Sequence, residues 1–164
     1  MLIRAARVDD APEIAAVHVI TWQKVYRGIM PSPFLDDLSV SRREEHWKQV
    51  LSRENHQVHV ACVSGEVAGF SSTGTNRDIP EAAELYAIYI HPEHWGKGLG
   101  KALFHASCAA LRSLRFDRLL LWVATDNSQA RNFYSHLGMT VDGLTKRQSF
   151  GGTEVEAVRY WIDL

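Results

Sequence analysis

The sequence predicts one α/β domain with a mixed sheet, spanning residues 1–164. Three observations support this fold class. A chain of 164 residues with 46% hydrophobic residues is long enough for one domain with a substantial core. Segments with strand periodicity alternate with segments of helical periodicity. The apolar run at residues 119–123 lacks polar alternation, as expected of a strand that is covered on both faces.

The N-terminal region predicts one strand and one amphipathic helix. The strand covers residues 2–6. Asp10 and Glu13 have the spacing of a capping box, and Pro12 lies in the first turn, where its missing N–H costs little. The apolar stripe of the helix consists of Ile14, Val17, His18, Thr21, Trp22 and Val25. Gly28 and the two prolines that follow it end the helix.

A second helix and three strands follow along the chain. Ser41 and Glu44 have the spacing of a second capping box, ahead of an apolar helix face. That face consists of Trp47, Val50 and Leu51. The strands are predicted at residues 57–63, 67–73 and 85–90, and the turn at residues 64–66 is typical of a hairpin between the first two.

The C-terminal half predicts two further helices and three further strands. The helices cover residues 99–114 and 127–136, and Gly138 ends the second. The strands cover residues 119–123, 139–144 and 155–162, and the last two are joined through a Gly-Gly turn. The predicted order of elements is therefore β-α-α-β-β-β-α-β-α-β-β.

A glycine-rich segment at residues 94–100, His-Trp-Gly-Lys-Gly-Leu-Gly, separates a predicted strand from a helix. Glycines let the backbone approach an anion closely, and the first N–H groups of a helix are unpaired donors at its positive end. The segment therefore predicts a phosphate-binding turn. A Walker A loop would need glycine at Trp95 and serine or threonine at Ala102. A dinucleotide-binding turn would need glycine at Lys101 or Leu103.

Composition disfavours several other classes of function. The net charge of −1 provides no general attraction for nucleic acid or anionic lipid. No run approaches the roughly 20 apolar residues of a membrane helix, and the N-terminus lacks an apolar signal segment, so we expect a cytoplasmic protein. Two cysteines do not make a disulfide framework, and the eight histidines lack the spacing of a metal site. We therefore expect no metal, nucleic-acid or membrane partner.

A second signature, Asn-x-x-Ala-x-x-Phe-Tyr-x-x-x-Gly-Met, occupies residues 127–139. Together with the glycine-rich turn and the element order, it resembles the GNAT superfamily of N-acetyltransferases over nearly the whole chain. Trp95 departs from the family's usual glutamine or arginine at the first position of the turn, and Met139 replaces a frequent phenylalanine. The resemblance implies a GNAT acyl-CoA transferase fold, with a mixed, mostly antiparallel sheet and helices on both faces.

The resemblance also implies acetyl-CoA as co-substrate, bound where the fourth and fifth strands separate. Backbone groups around Ile88 and Ile90 would pair with the pantetheine arm, and Asn127 would hydrogen-bond to the cofactor. Arg131 could reach a cofactor phosphate. Backbone N–H groups of the turn would hold the pyrophosphate, and they belong to Trp95, Gly96, Lys97, Gly98, Leu99, Gly100 and Lys101.

By the same resemblance, Tyr134 would protonate the leaving thiolate and Glu84 would be the general base for the amine, with Asp78 and Glu81 as nearby substitutes. Tyr134 could instead be a core aromatic residue, and Glu84 a surface carboxylate at a strand end. The residues expected to line the acceptor site, or only to belong to the core, are Trp22, Tyr26 and Phe34.

The function that the resemblance implies is acetyl transfer to a primary amine by direct attack in a ternary complex, since neither cysteine is placed to carry the acyl group. A non-catalytic acyl-CoA-binding sensor or partner module of the same fold is the alternative. The acceptor could be a small molecule or a peptide, and the acidic side chains of Glu84 and Asp78 would suit a cationic one. The sequence leaves the oligomeric state open; a homodimer is common in the family that the chain resembles, and the last strands would then form its interface.

Overall fold

The computed structural model describes residues 1–53 and 56–164. The described strands form one sheet in the order β1-β2-β3-β4-β5-β7-β6. They span Leu2–Ala5 (β1), His56–Val63 (β2), Glu66–Thr75 (β3), Ala83–Ile90 (β4), Arg118–Ala124 (β5), Thr140–Phe150 (β6) and Thr153–Asp163 (β7). The helices are Ala11–Val25 (α1), Ser32–Asp36 (α2), Val40–Leu51 (α3), Leu99–Ser113 (α4) and Ser128–His136 (α5). The predicted α/β class with a mixed, mostly antiparallel sheet is confirmed.

The sheet opens between β4 and β5, which are its one parallel pair among the described strands. These two strands pair only at Ala83 with Leu119 and at Glu84 with Leu120. Beyond Glu84, β4 pairs only with β3, and β5 pairs only with β7. The register of β4 also shifts around Tyr86, which has no partner of its own on β3. The two strands therefore leave a gap with free backbone groups along the facing edge of β4.

Helices cover both faces of the sheet. On one face, α1 and α3 pack on β2 to β4 around a buried apolar cluster whose largest members are Ile14, Trp47, Val60 and Phe70. On the other face, α4 packs on β1 to β4, and α4 and α5 together form a second cluster with β4, β5 and β7. This cluster includes Leu85, Phe104, Leu111, Leu121 and Tyr134. The gap between β4 and β5 lies between these two cores, so either face can supply side chains to it.

The predicted capping box at the start of α1 is wrong. The Asp10 carboxylate accepts hydrogen bonds from the Arg4 guanidinium at 2.7 and 2.8 Å and from the Arg7 N–H at 2.6 Å. The Glu13 carboxylate accepts the Val67 N–H at 2.6 Å, at the start of β3. The Asp10 carboxylate therefore closes the turn that begins at Arg7 and pairs with β1, and the Glu13 carboxylate joins α1 to β3. Neither makes the predicted cap, because other donors compete for them.

The second predicted capping box is also wrong. The hydroxyl of Ser39, two residues before Ser41, accepts the Arg42 N–H at 3.2 Å and caps α3. Glu44 pairs with Lys48 at 2.8 Å, four residues along the same helix. The helix thus begins near the predicted place with a different cap.

One helix was not predicted, and one strand is longer than predicted. The segment after Gly28 forms the short helix α2, because Pro31 and Pro33 lie at its start, where a missing N–H costs little. β6 continues to Phe150, since it keeps pairing with β7 up to the Gly-Gly turn. β6 is an edge of the sheet, and the homodimer through the last strands stays a prediction.

Within residues 1–53 and 56–164, no helix is long and apolar enough to cross a membrane.

His18 on α1 lies inside an aromatic cluster and is 6% exposed. The rings of Trp22, Trp47, Phe70 and Tyr89 have their centroids 5.2 to 5.9 Å from its imidazole. Its Nδ1 accepts the Trp47 Nε1–H at 3.1 Å. Burial lowers the pKa of His18 from 6.5 to about 3, and the positive charge of Arg43 acts in the same direction. His18 is therefore neutral in the folded protein at ordinary pH.

We expect the wild-type protein to lose more stability in mild acid than the His18→Gln variant. The unfolded chain binds a proton at His18 near pH 6.5, whereas the folded chain binds it only near pH 3. Stability is therefore lost as the pH falls below about 6.5, by about 2 kcal/mol at pH 5 relative to pH 7 from this residue alone. Glutamine takes up no proton and can still accept from Trp47. Urea unfolding at both pH values measures the difference, and equal losses in the two proteins would contradict the assignment.

Candidate functional site

The gap between β4 and β5 opens into a cleft of about 350 Å³. Its walls come from the end of α1, from β4, from the glycine-rich turn with the start of α4, and from the β5–α5 junction. The predicted site residues that line it are Tyr26, Ile88, Ile90, Trp95, Gly96, Gly98, Leu99, Gly100, Lys101, Asn127 and Tyr134. The predicted site residues outside its lining are Trp22, Phe34, Glu84, Lys97 and Arg131.

The glycine-rich turn has the backbone of an anion site. Gly96 and Gly98 have φ values of +74° and +81°, a region that side-chain-bearing residues rarely adopt. A Cβ atom at either glycine would meet no atom within 4 Å, so the space in front of the turn is open. Gly98 caps α4, and the N–H groups that begin the helix have no intrahelical acceptor. These donors and the helix dipole fit a pyrophosphate.

Gly100 has a different task. A Cβ atom there would lie 3.2 Å from the Phe133 ring, so the missing side chain lets α4 and α5 pack closely beside the cleft. Glycine at this position is a packing requirement as well as part of the turn.

The unexpected Trp95 ties the turn to the end of β4. Its Nε1–H donates to the Ile90 carbonyl at 2.7 Å, and the Thr21 hydroxyl donates to the same carbonyl at 3.2 Å. Both lone pairs of this carbonyl are therefore engaged within the protein. Ile88 is the neighbouring position whose backbone is placed to pair with an extended ligand in the gap. The roles predicted for Ile88 and Ile90 stay predictions, and the geometry favours Ile88.

Asn127 and three tyrosines form the polar centre of the cleft. The Asn127 Oδ1 accepts the Ala130 N–H at 3.0 Å and so caps α5, which leaves the amide N–H groups for other partners. Burial raises the pKa of Tyr26, and hydrogen bonding with Tyr89 and Asn127 opposes that change. Burial also raises the pKa of Tyr89 and of Tyr134. All three phenols are therefore neutral at physiological pH and can donate hydrogen bonds.

Tyr134 is held rigidly at the β5–α5 side of the cleft. Its ring lies between those of Phe133 and Tyr160, with centroid distances of 5.1 and 6.2 Å, and the residue is 7% exposed. A neutral hydroxyl on a buried ring beside the cleft is suited to donate to a developing negative charge.

Glu84 lies where β4 and β5 part, and it is 3% exposed. Its carboxylate accepts the Arg77 Nη2–H at 2.6 Å and the Arg77 Nε–H at 3.3 Å. It also accepts the Arg77 backbone N–H and the Asn76 Nδ2–H, each at 3.3 Å. The carboxylate is thus occupied by its own loop. Asp78 and Glu81 are exposed and likewise lie outside the cleft lining. The general base stays a prediction that this geometry does not favour.

The other predicted residues outside the lining have partners elsewhere. Arg131 donates to the Thr125 carbonyl at 3.2 Å. Lys97 is exposed, and its Nζ lies 3.4 Å from the His94 Nδ1. Trp22 and Phe34 belong to an aromatic cluster behind the cleft, where both pack against Phe150.

The cleft lining also includes residues outside the predicted site, among them Thr21, Tyr89 and Trp122. Alternation within the predicted strand at residues 85–90 places Tyr89 on the face opposite Ile88 and Ile90, so the sequence contained a signal for its position. Trp122 lies inside a continuous apolar run, which gives no indication of which face it occupies.

The part of the chain that the structure describes has no group of three or more His, Cys, Asp or Glu side chains that could hold a metal. Cys62 and Cys108 are both buried and free.

Comparisons with known proteins agree with this geometry. Residues 20–139 match the sequence profile of the acetyltransferase (GNAT) family. An uncharacterized N-acetyltransferase of Bacillus subtilis is 36% identical over 128 residues, 76% of this chain and 72% of that protein. A probable N-acetyltransferase of Mycobacterium tuberculosis is 32% identical over 146 residues, 87% of this chain and 82% of that protein. The crystal structure of the PaiA N-acetyltransferase of Thermoplasma acidophilum in complex with coenzyme A shares the fold, with a TM-score of 0.78 at 20% identity over 95% of this chain and 96% of that chain.

Proposed function

Because the chain belongs to the acetyltransferase (GNAT) family, we propose that it transfers the acetyl group of acetyl-CoA to a primary amine by direct attack in a ternary complex. One observation carries this proposal: the glycine-rich turn, with positive φ at Gly96 and Gly98, opens onto the same gap in the sheet as the neutral phenol of Tyr134. When bound, the co-substrate supplies an acyl group activated as a thioester.

The chain's own residues have three tasks in this reaction. The N–H groups at the start of α4 hold the pyrophosphate, and the free edge of β4 near Ile88 directs the extended arm along the gap. The Tyr134 hydroxyl donates a hydrogen bond to the sulfur as it departs. The described cleft lining contains no carboxylate, so a base role for Glu84 would require Arg77 to leave it.

Thermal denaturation with acetyl-CoA, CoA, NAD and ATP, followed by an amine screen, tests the proposal. A ligand at about a hundred times its Kd adds ~2.7 kcal/mol, which raises the Tm of a domain of this size by about 5–10 °C. We expect a rise with acetyl-CoA and CoA only, and amine-dependent release of CoA with an acetylated product by mass spectrometry. Firm CoA binding without turnover would favour the sensor alternative. A larger rise with NAD or ATP would overturn the assignment.

The variants Gly98→Ala and Gly152→Ala separate ligand binding from backbone strain. Both glycines have a φ of +81°, and a Cβ atom at either would meet nothing within 4 Å. Gly152 lies in the turn between β6 and β7, outside the cleft lining. We expect each variant to lose about 1–2 kcal/mol of stability. Only Gly98→Ala should raise the Kd for CoA, by at least about tenfold or 1.4 kcal/mol, since its methyl group enters the anion site. Equal CoA affinities in titration calorimetry would contradict this placement of the pyrophosphate.

A further inference from the structure

Arg43 on α3 has an unusual environment beside the cleft. Its guanidinium carbon lies 5.6 Å from the centroid of the Trp22 ring on α1, and the side chain is half-buried. Partial burial lowers the pKa of Arg43, and the nearby Tyr89 hydroxyl has the opposite effect. Across residues 1–53 and 56–164, no carboxylate forms an ion pair with it. A desolvated arginine without a counter-charge calls for a ligand or another explanation.

Two further donors near Arg43 also lack an acceptor. His18 Nε2 and Trp22 Nε1 are both buried and have no hydrogen-bond partner among the described residues. Because His18 Nδ1 accepts from Trp47, its Nε2 carries the proton of the neutral ring. Burial raises the pKa of Tyr89, and the nearby Trp22 indole has the opposite effect. No hydrogen bond of normal geometry joins Trp22 Nε1 to the Tyr89 hydroxyl, however. We call Arg43, His18 and Trp22 the donor wall.

The donor wall adjoins the cleft beside Tyr26 and Tyr89. The Trp22 ring lies 5.0 Å from that of Tyr26 and 6.3 Å from that of Tyr89, and both tyrosines line the cleft. Tyr26 belongs to the end of α1, whereas the turn that fits the pyrophosphate begins α4. The wall therefore borders the α1 side of the cleft, where we place the acceptor.

Charge near this side does not suit a cationic acceptor, contrary to the expectation from Glu84 and Asp78. The Glu84 carboxylate is already neutralised by Arg77 at 2.6 Å. The acidic residues closest to Arg43 in sequence, Glu44 and Glu45, both pair with Lys48. Among the described residues, the polar groups beside Tyr26 and Tyr89 that lack a partner are the hydrogen-bond donors of the donor wall.

We propose that the acceptor amine carries an anionic oxygen group, a carboxylate, and that the half-buried guanidinium of Arg43 receives it. This inference rests on the proposed acetyl transfer. A guanidinium binds a carboxylate through two parallel N–H···O bonds, and the stacking of Arg43 on the Trp22 ring holds it beside the cleft. His18 supports the wall from the core, since it contacts the Trp22 and Tyr89 rings.

Binding of product-like probes tests the subsite without turnover. N-acetyl-leucine and N-acetyl-leucinamide differ only in the carboxylate, and each is titrated into the CoA-saturated protein. We expect the acid to bind at least tenfold more tightly than the amide, and Arg43→Gln to abolish that difference. Arg42→Gln is the matched control, because Arg42 is the neighbouring arginine on α3, is exposed and pairs with Asp37 at 3.1 Å. Equal affinities for acid and amide in the wild type, or equal effects of the two variants, would overturn the proposal.

Kinetics with leucine, leucinamide and phosphoethanolamine extend the test. Arg43→Gln should raise the KM for leucine about tenfold and leave kcat with leucinamide within twofold, and Arg43→Lys should fall between. A stronger, Arg43-dependent preference for phosphoethanolamine would support the same subsite with phosphate as the anion. Arg43-dependent probe binding without turnover of any amine would support the subsite and refute the transfer. Turnover of amines without preference for the acids would refute the subsite and leave the transfer standing.

Discussion

Replacing Tyr134 by phenylalanine is expected to lower kcat by about 10²–10³-fold, with the Kd for CoA within about twofold of the wild-type value. The ring is part of the core, and phenylalanine fills the same space, so the change removes only a hydroxyl. That hydroxyl is neutral because burial raises its pKa. Steady-state detection of free CoA, with calorimetry for the Kd, measures both quantities.

Tyr160→Phe is the control for Tyr134→Phe. Tyr160 packs against Tyr134, is 2% exposed and accepts a hydrogen bond from Arg131, yet it lies outside the cleft lining. Its variant should keep kcat within about threefold. Because the pKa of Tyr134 is raised, the loss in Tyr134→Phe should be the same from pH 6 to pH 9. A similar loss of kcat in both variants would indicate that the effect is not specific to the Tyr134 hydroxyl in the cleft.

The fold was predictable where the signal is local. Helical and strand periodicity gave β2 to β5, α4 and α5 nearly at their observed bounds, and the family inferred from two short motifs is confirmed. The helix caps were not predictable, because the carboxylates of Asp10 and Glu13 bind donors from β1 and β3. A capping motif indicates which local hydrogen bond can form, but it does not indicate which distant donor competes for the same oxygen.

In the candidate site, too, some features were predictable from the sequence and others were not. The glycine-rich turn was predictable because the positive φ of Gly96 and Gly98 is a backbone property that few other residues share. The contacts of Glu84 and Arg43 were not predictable, since one set depends on where the loop at Arg77 folds back and the other on how α3 packs on α1. The number of carboxylates can be read from the sequence, but only the structure shows which of them pair with a positively charged side chain.

The Arg77→Ala variant is expected to lower the free energy of unfolding by about 2–3 kcal/mol, more than Glu84→Gln does. The two partners are unequal: the Glu84 side chain is 4% exposed, whereas that of Arg77 is 66% exposed. Removing Arg77 leaves a buried carboxylate without its counter-charge, and it also removes the stacking of the guanidinium on Tyr86 at 5.1 Å. Removing the charge of Glu84 leaves an arginine that can turn to solvent. Urea unfolding of both variants measures the asymmetry.

The double variant Arg77→Ala/Glu84→Gln should recover most of that loss, because no charge is then left buried. Asn76 Nδ2 can still donate to the glutamine carbonyl that replaces the carboxylate. If Glu84 acted as the general base, Glu84→Gln would lower kcat most at low pH, whereas a carboxylate committed to Arg77 predicts an unchanged pH dependence of kcat. A double variant less stable than Arg77→Ala would show that the ion pair is not what holds this loop. A selective loss of kcat at low pH would show instead that Arg77 releases Glu84 during turnover.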